Sequence, residues 1–409
     1  MTTSAILALV TGLPVIATKH SGFPDQIVPG KNGYLANEAD PKDFADKMLE
    51  YISHPEGWGA MSDFGRAHML AKYDQKVLID RQLALYRRFV PGANKIAFVV
   101  GVFPAVSETW LISQVTDLID RGVDVELYVF RNGGRENISD KFFSYKLEER
   151  MHSAEMPLNR FTRVLYAVPK ILHVLLTRPL VLPKIFNIKK YGADAYSLKN
   201  LFWVEPFLGM DAEVVHCHFG TVALRYLRVR EILGLPQPFL TTFYGLDVSG
   251  VFKEKGPNVY KALIRECAQF LVMSNNMKER ILPYGFSPEK VEVLPISVDV
   301  GSYPFSRRSI ASGETVRIVT VGRFVEKKGY DDLLSALAML KKTSPRPFVC
   351  SIIGGGELDD ELHKLAQDLG VEDVVEWKGF MKVEDVVQFL TTQHLYVQPS
   401  KTAKAGDME

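Results

Sequence analysis

Cysteine is scarce. The 409 residues contain three, Cys217, Cys267 and Cys350, and no two form a CxxC pair. A disulfide framework and a zinc ribbon are therefore set aside, and a reducing compartment is expected. An excess of charge is also missing. Lys and Arg number 49 against 48 Asp and Glu, a formal net charge of +1. A general nucleic-acid binder carries a basic excess, so no nucleic-acid partner is expected. No segment offers about 18 uninterrupted apolar residues, the length of a spanning helix. The run AILALV (5–10) is short and lacks a basic flank, so it is not read as a secretory leader. Thirty Gly and 22 Pro are near average, which excludes fibrous and low-complexity classes. One absence is local. No Asp or Glu occurs between Glu155 and Asp194, while Arg160, Arg163, Lys170, Arg178, Lys184, Lys189 and Lys190 all fall there.

What remains is an ordinary globular composition, 47% apolar and 24% charged, in a chain long enough for two or three domains. From Lys95 onward, apolar runs alternate with helical periods. Strands are expected at 95–101, 123–130, 213–219, 238–245, 269–274 and 290–295, with helices at 108–121, 222–233 and 257–268. A second series has strands at 316–322, 348–354, 373–379 and 394–400, with helices at 329–342, 359–369 and 382–391. Strand–helix alternation of this kind predicts parallel sheets covered by helices on both faces, an α/β class. The polar, aperiodic segment 303–315 is the linker expected between the two series.

The first 90 residues offer a helix (3–11), one strand (13–18), a turn-rich stretch (21–35) and helices at 41–53, 56–72 and 76–89. One strand with three helices cannot bury itself. The second series, conversely, stops after a strand with no helix to cover it. Joining the two ends supplies what each lacks. The expected organisation is a domain at 91–302, a second domain made of 303–409 plus 1–75, and a crossover helix at 76–90 returning to the first.

Several residues suggest chemistry. Arg323 and Lys328 lie between a strand and a helix, where backbone amides and the helix dipole favour an anion. Their cations would add charge-assisted bonds to a diphosphate. Gly354, Gly355 and Gly356 follow an apolar strand and allow close backbone approach. His216 and His218, two apart on a strand, face the same way. No third ligand stands at suitable spacing, so no metal is expected. Ser107 and Glu108 read as a helix N-cap. Phe161, Val164, Leu165, Val168, Ile171, Leu172 and Leu175 recur at helical spacing within the acid-free stretch, and Pro169, Pro179 and Pro183 should break it into short pieces. A basic amphipathic surface at 156–193 would suit an anionic membrane.

In order, VGRFVEKKGYDDLLSAL (321–337), IIGGGEL (352–358), YVQPSKTAKAGDME (396–409), TGLPVIATKHSGFPD (11–25) and KIAFVVGVFPAVSETWLISQ (95–114) resemble the family 4 glycosyltransferases of the GT-B fold, in circularly permuted order. FPAVSETWLISQ, HCHFG and FYGLDVS are similar to the exopolysaccharide and colanic-acid branch. The resemblance implies two doubly wound, Rossmann-like domains facing a cleft. It implies retaining transfer of a sugar from a UDP- or GDP-linked donor to a saccharide or lipid-linked saccharide, with no cofactor. Localisation would be cytoplasmic, or peripheral on the inner face of the membrane. Arg323 and Lys328 would stabilise the leaving diphosphate. Gly322, Gly354, Gly355, Gly356 and Glu357 would lie on the donor, and Glu409 would hold the donor sugar. Tyr244, where the family most often has His, would reach the sugar; Gly101, Glu108, His218 and Asp247 would border the acceptor. The family's second glutamate, which takes the ribose hydroxyls, falls at Leu7. A break within the donor loop together with Leu7 leads to an expectation of reduced turnover. The alternatives are an impaired GT-B binding protein and a nucleotide-sugar epimerase on the same fold, the latter disfavoured by the ordered motifs.

Overall fold

A computed structural model describes residues 3–105, 109–136, 138–404, 406 and 408. The strands among them are β1 (Val15–Thr18), β2 (Gly33–Ala36), β3 (Lys95–Phe103), β4 (Asp124–Asn132), β5 (Met151–Ser153), β6 (Val214–His218), β7 (Phe239–Phe243), β8 (Gln269–Val272), β9 (Val291–Val293), β10 (Val316–Val321), β11 (Phe348–Ile353), β12 (Val375–Gly379) and β13 (Leu395–Gln398). The chain divides into two compact units. The first is Met1–Leu78 with Met273–Glu279 and Pro295–Glu409; the second is Ile79–Val272 with Arg280–Leu294.

The first unit holds a six-stranded sheet in the order β12-β11-β10-β13-β1-β2, parallel throughout. Strands from both ends of the sequence therefore share one sheet: Val15 pairs with Tyr396 on one side and Gly33 on the other. The helix Pro41–Ser53 shows why its residues fold as they do. Asp40 caps it by accepting the Asp43 amide, and Pro41 opens it. Phe44, Met48, Tyr51 and Ile52 then fall on one face and enter the core with Ile318, Leu333 and Leu337. Trp58 stacks on Tyr51 at 4.6 Å and donates its indole N–H to the Tyr51 carbonyl. A second cluster gathers Ile6, Leu9, Val15, Ala17, Val319 and Tyr396, and Leu7 packs half-buried against it.

The second unit holds a seven-stranded parallel sheet in the order β5-β4-β3-β6-β7-β8-β9. Every residue of β6 and β7 is buried, as expected of strands covered on both faces. The strand order reverses between β3 and β6 here, and between β10 and β13 in the first unit. Such switch points open a crevice at the carboxyl ends of parallel strands.

Three expectations are corrected. The segment 303–315 is no linker, because it belongs to the first unit. Arg308 is buried there and donates to the carbonyls of Thr11, Leu390 and Thr391, and burial pushes its pKa down to about 10. Pro169 does not end its helix, which runs over Arg160–Thr177. The carbonyl it deprives of a partner, that of Leu165, belongs to an exposed turn where water can replace the bond. β2 lies inside the stretch read as turns, and the short β5 was not foreseen. Among the described residues no single helix is long and apolar enough to cross a membrane. Arg160–Thr177 and Pro179–Ile185 are so only together, and the chain bends by 117° between them.

Candidate functional site

In the first unit, β10 runs out into Gly322 and the exposed Arg323, then a single turn over Glu326–Lys328. Gly329 follows at φ +67°, and a Cβ there would stand 2.0 Å from the Pro399 carbonyl oxygen. Only glycine allows that approach, which seats the turn over the β10/β13 switch point. The 14-residue helix Tyr330–Thr343 begins at once. Lys328 is buried, with its Cε 3.2 Å from the place of a Cβ on Gly322. Arg323 and Lys328 are thus brought to the amino end of a helix at the carboxyl edge of a parallel sheet, which favours an anion.

The triple glycine has a second reason to exist. Gly322 donates to Ile353 and Phe324 to Gly355, both at 3.0 Å. A Cβ on Gly354 would lie 1.9 Å from the Gly322 oxygen, and one on Gly356 2.7 Å from that of Phe324. The two segments run too close for side chains. Glu357 is exposed and lines a groove of about 660 Å³ with Glu326, Asp331, Tyr330 and Lys401. Glu409 lies outside the described residues. Before it, Lys401 donates its amide to Lys327 at 2.9 Å, Lys404 to Glu326 at 3.1 Å, and Lys327 Nζ reaches the Met408 carbonyl at 3.2 Å.

Sequence reasoning missed His20 and Glu38. His20 Nδ1 lies 2.7 Å from Glu38 Oε1, and Glu38 Oε2 accepts from the Thr402 amide and hydroxyl at 2.9 and 3.0 Å. Burial works to raise the Glu38 pKa, but the bonds from His20 and Thr402 outweigh it and hold the carboxyl below its usual range. This group ties the ends of β1, β2 and β13 together. His20 stands inside the quoted motif TGLPVIATKHSGFPD, but Glu38 lies beyond it, and only the pairing of β1 with β2 brings the two together.

In the second unit, His216 and His218 project the same way from β6, ring centroids 4.3 Å apart. Hydrogen bonds run in one direction through His216. Gln114 donates to Gln82 Oε1, Gln82 Nε2 to the Tyr86 oxygen, Tyr86 to His216 Nδ1 at 2.7 Å, and His216 Nε2 to Thr242 Oγ1 at 2.7 Å. The chain is complete with a neutral ring. Burial pushes His216 down to about 3 and, with His216 as neighbour, holds His218 well below its ordinary value. Among the described residues no three His, Cys, Asp or Glu gather as metal ligands.

His218 Nδ1 bonds the Tyr244 hydroxyl at 2.9 Å, so the phenol turns inward, against Trp110 at 4.7 Å. Asp247 is buried and committed. Its Oδ1 accepts from the Gly220 amide at 3.0 Å and the Tyr260 hydroxyl at 3.3 Å, and its Oδ2 from the Tyr244 amide at 3.0 Å. Burial pushes its pKa up to about 6 against the pull of those bonds. Asp247 positions the start of the helix Gly220–Leu233. Gly101 does line an opening, a pocket of about 640 Å³ shared with Phe130, Arg131, Trp203, Phe219 and Arg225. Phe219 holds φ +74° there, a strained geometry for a non-glycine residue. Glu108 lies outside the described residues.

Two parallel α/β units carrying these sites are matched along most of their length by a known enzyme. The chain is 30% identical over 327 residues to the amylovoran biosynthesis glycosyltransferase AmsK of Erwinia amylovora, covering 77% of each chain. It belongs to the family 4 glycosyltransferases. A second relative of this glycosyltransferase is the putative colanic acid biosynthesis glycosyltransferase WcaL of Escherichia coli K12, 28% identical over 320 residues and 77% of each chain. The family described as Glycosyltransferase Family 4 matches residues 107–302, and Glycosyl transferases group 1 matches 3–75 and 304–406. Among solved structures, Anabaena Alr3699/HepE in complex with UDP is similar at a TM-score of 0.49 and 16% identity, over 76% of this chain and 74% of that one. Arg323 and Lys328 lie within the group 1 match, and the histidine strand and most of the pocket near it lie within the family 4 match.

Proposed function

We propose that this glycosyltransferase moves a sugar, with retention, from a UDP- or GDP-linked donor to a saccharide or lipid-linked saccharide in surface polysaccharide synthesis. The cradle of Arg323 and Lys328 at the start of the helix Tyr330–Thr343 carries the reading. As the bond from the anomeric carbon to the diphosphate breaks, negative charge develops on the phosphate, where fixed cations and helix amides stabilise it. The acceptor oxygen bonds to the same face of the sugar, and its proton passes to the departing phosphate. No protein nucleophile, metal or cofactor enters the scheme. Glu409 would hold the sugar. The names of the relatives AmsK and WcaL support a polysaccharide product.

The element order is proposed to be a circular permutation of the family's. Support comes from β1 and β2 extending the sheet beyond β13, and from the group 1 match falling in two pieces.

A membrane surface is the proposed workplace, at the cytoplasmic face. Phe161, Val164, Leu165, Val168, Leu172, Leu175 and Leu176 are all exposed and fall within about 120° of arc at 100° per residue. Lys170 and His173 turn inward instead, to Glu205. Arg160, Arg178, Lys184 and Lys189 are exposed, without an ion pair to another described residue. An apolar stripe with an unopposed basic rim suits an anionic bilayer.

Calorimetric titration of UDP and GDP tests the donor reading, with tight binding to one and at least a tenfold loss in Lys328→Met expected. Absence of binding to both overturns it. A second reading, a binding protein impaired in transfer, is favoured by Leu7, which packs into an apolar cluster where the family carries a ribose-binding glutamate. Diphosphate binding without turnover of any nucleotide sugar would select it.

A further inference from the structure

The pocket at the β3/β6 switch point contains an arginine that lacks an acid. Three cations surround the Trp203 ring: Lys199 at 4.7 Å, Arg228 at 5.5 Å and Arg225 at 5.8 Å. Lys199 and Arg228 share the single carboxylate of Asp194. The Arg225 side chain has no hydrogen bond or ion pair to another described residue; its guanidinium lies over both the Phe130 and Trp203 rings, 5.4 and 5.8 Å from their centroids, the two rings themselves meeting edge to face. Two aromatic faces hold a guanidinium in place but satisfy none of its five N–H donors. Partial burial lowers the Arg225 pKa, while the residue as a whole stays exposed on the pocket wall. Arg131, from the end of β4, adds an exposed cation to the same walls. One acid faces them, Glu155, which accepts the Asn132 amide at 3.3 Å. With Lys199 already drawn to Asp194, Arg225 and Arg131 against the one carboxylate of Glu155 leave the pocket short of negative charge.

We propose that this pocket binds a phosphate or diphosphate group of the acceptor, with Arg225, held over two aromatic rings, as the anchor and Arg131 and Lys199 beside it. A guanidinium fixed in plane pairs two donors with two phosphate oxygens, which a mobile lysine does less well. Location agrees with this role. The pocket opens at the carboxyl ends of β3, β4 and β6, where doubly wound sheets bind ligands. Its wall also includes Leu158, which is 93% exposed and stands just before the apolar stripe of Arg160–Thr177. A group carried on a lipid would thus find its anion site beside an apolar track. The proposal rests on the glycosyl-transfer reading only in calling the ligand an acceptor.

The test is a calorimetric titration of the full chain with inorganic pyrophosphate and with farnesyl diphosphate, run on the unsubstituted protein, Arg225→Gln, Arg131→Gln and Lys328→Met. Binding is expected to weaken about tenfold in Arg225→Gln and several-fold in Arg131→Gln, and one binding component should survive in Lys328→Met. Arg131 is exposed and its side chain makes no hydrogen bond or ion pair to another described residue, so its variant keeps the test valid if Arg225→Gln fails to fold. Stronger binding of farnesyl diphosphate than of pyrophosphate assigns the group to a lipid diphosphate, and equal binding assigns it to phosphate alone. No binding of either, or binding that both arginine variants retain in full, overturns the proposal. A parallel UDP titration separates the two readings. Loss of UDP binding with the Arg225-dependent component intact sinks the donor reading alone.

Discussion

His216 should make the second unit acid-labile well above the pH at which carboxylates titrate. In the native state the ring is buried, with Tyr86 donating to Nδ1 and Nε2 donating to Thr242. A proton on Nδ1 would face the Tyr86 proton and break the relay back to Gln82. Burial accordingly holds the ring's pKa at about 3, against 6.5 when free. The sign follows from where protons bind. Between these values the unfolded chain takes up a proton that the native chain refuses. Stability is therefore complete above pH 6.5 and lost as pH falls toward 3. At pH 5 the unfolded ring lies about 1.5 pH units below its pKa, which costs about 2 kcal/mol at 1.36 kcal/mol per unit. His218, lowered by burial and then by His216, acts in the same direction. Urea unfolding at pH 7.5 and pH 5.0, followed by tryptophan fluorescence, measures the loss. His216→Gln should lose about 2 kcal/mol less than the unsubstituted protein between the two pH values. Equal losses, or a native His216 ring that titrates near 6.5 by NMR, refute the reasoning.

Gly329→Ala should destabilise the first unit by at least about 2 kcal/mol in chemical denaturation, because it adds a strained φ of +67° to a Cβ placed 2.0 Å from the Pro399 oxygen. Replacing Phe161, Leu165 and Leu172 together with Ser should abolish flotation with anionic vesicles and leave Tm within a degree or two; retained flotation rejects the stripe as the membrane contact. The three thiols are buried, and burial raises the pKa of each, so none should react with a thiol reagent until the chain unfolds. A rejoined chain running 91–409, one Gly, then 1–90 should fold with an unchanged circular dichroism spectrum and bind nucleoside diphosphate at least as well, whereas failure to fold contradicts the permuted order.

The fold was legible wherever burial on both faces writes an apolar run, as in β6, β7, β10 and β11. β2 was hidden because Gly33-Tyr34-Leu35-Ala36 is short and follows a Pro-Gly-Lys-Asn turn, and its partner, β1, is what makes it a strand. Segment 303–315 looked like a linker because a polar strap and a linker share a composition. Arg308 distinguishes them only through carbonyls distant in sequence. Arg323 and Lys328 could be found because strand, turn and helix onset are local. Arg225 could not. Within Gly220–Leu233 it resembles any charge on a helix surface, and its meaning arises from Phe130 and Trp203, brought in from other elements. Tyr244 and Asp247 were singled out by position, yet their polar atoms are engaged in holding β7 to the helix that follows β6.

The sheet of the first unit also sets a timetable. Thr18 and Ser400, hydrogen-bonded across β1 and β13, are 382 residues apart in sequence. At a ribosomal pace of about 5–20 residues per second, β1 waits roughly 20–80 seconds for the strand that completes its pairing. Ile79–Val272 is made in full during that interval and can collapse around its own sheet. The apolar helix Thr3–Val10 and the strand Val15–Thr18 spend the same interval without β13 beside them. The sheet of the first unit therefore cannot close until β13 has been made, so its completion follows synthesis of the whole second unit.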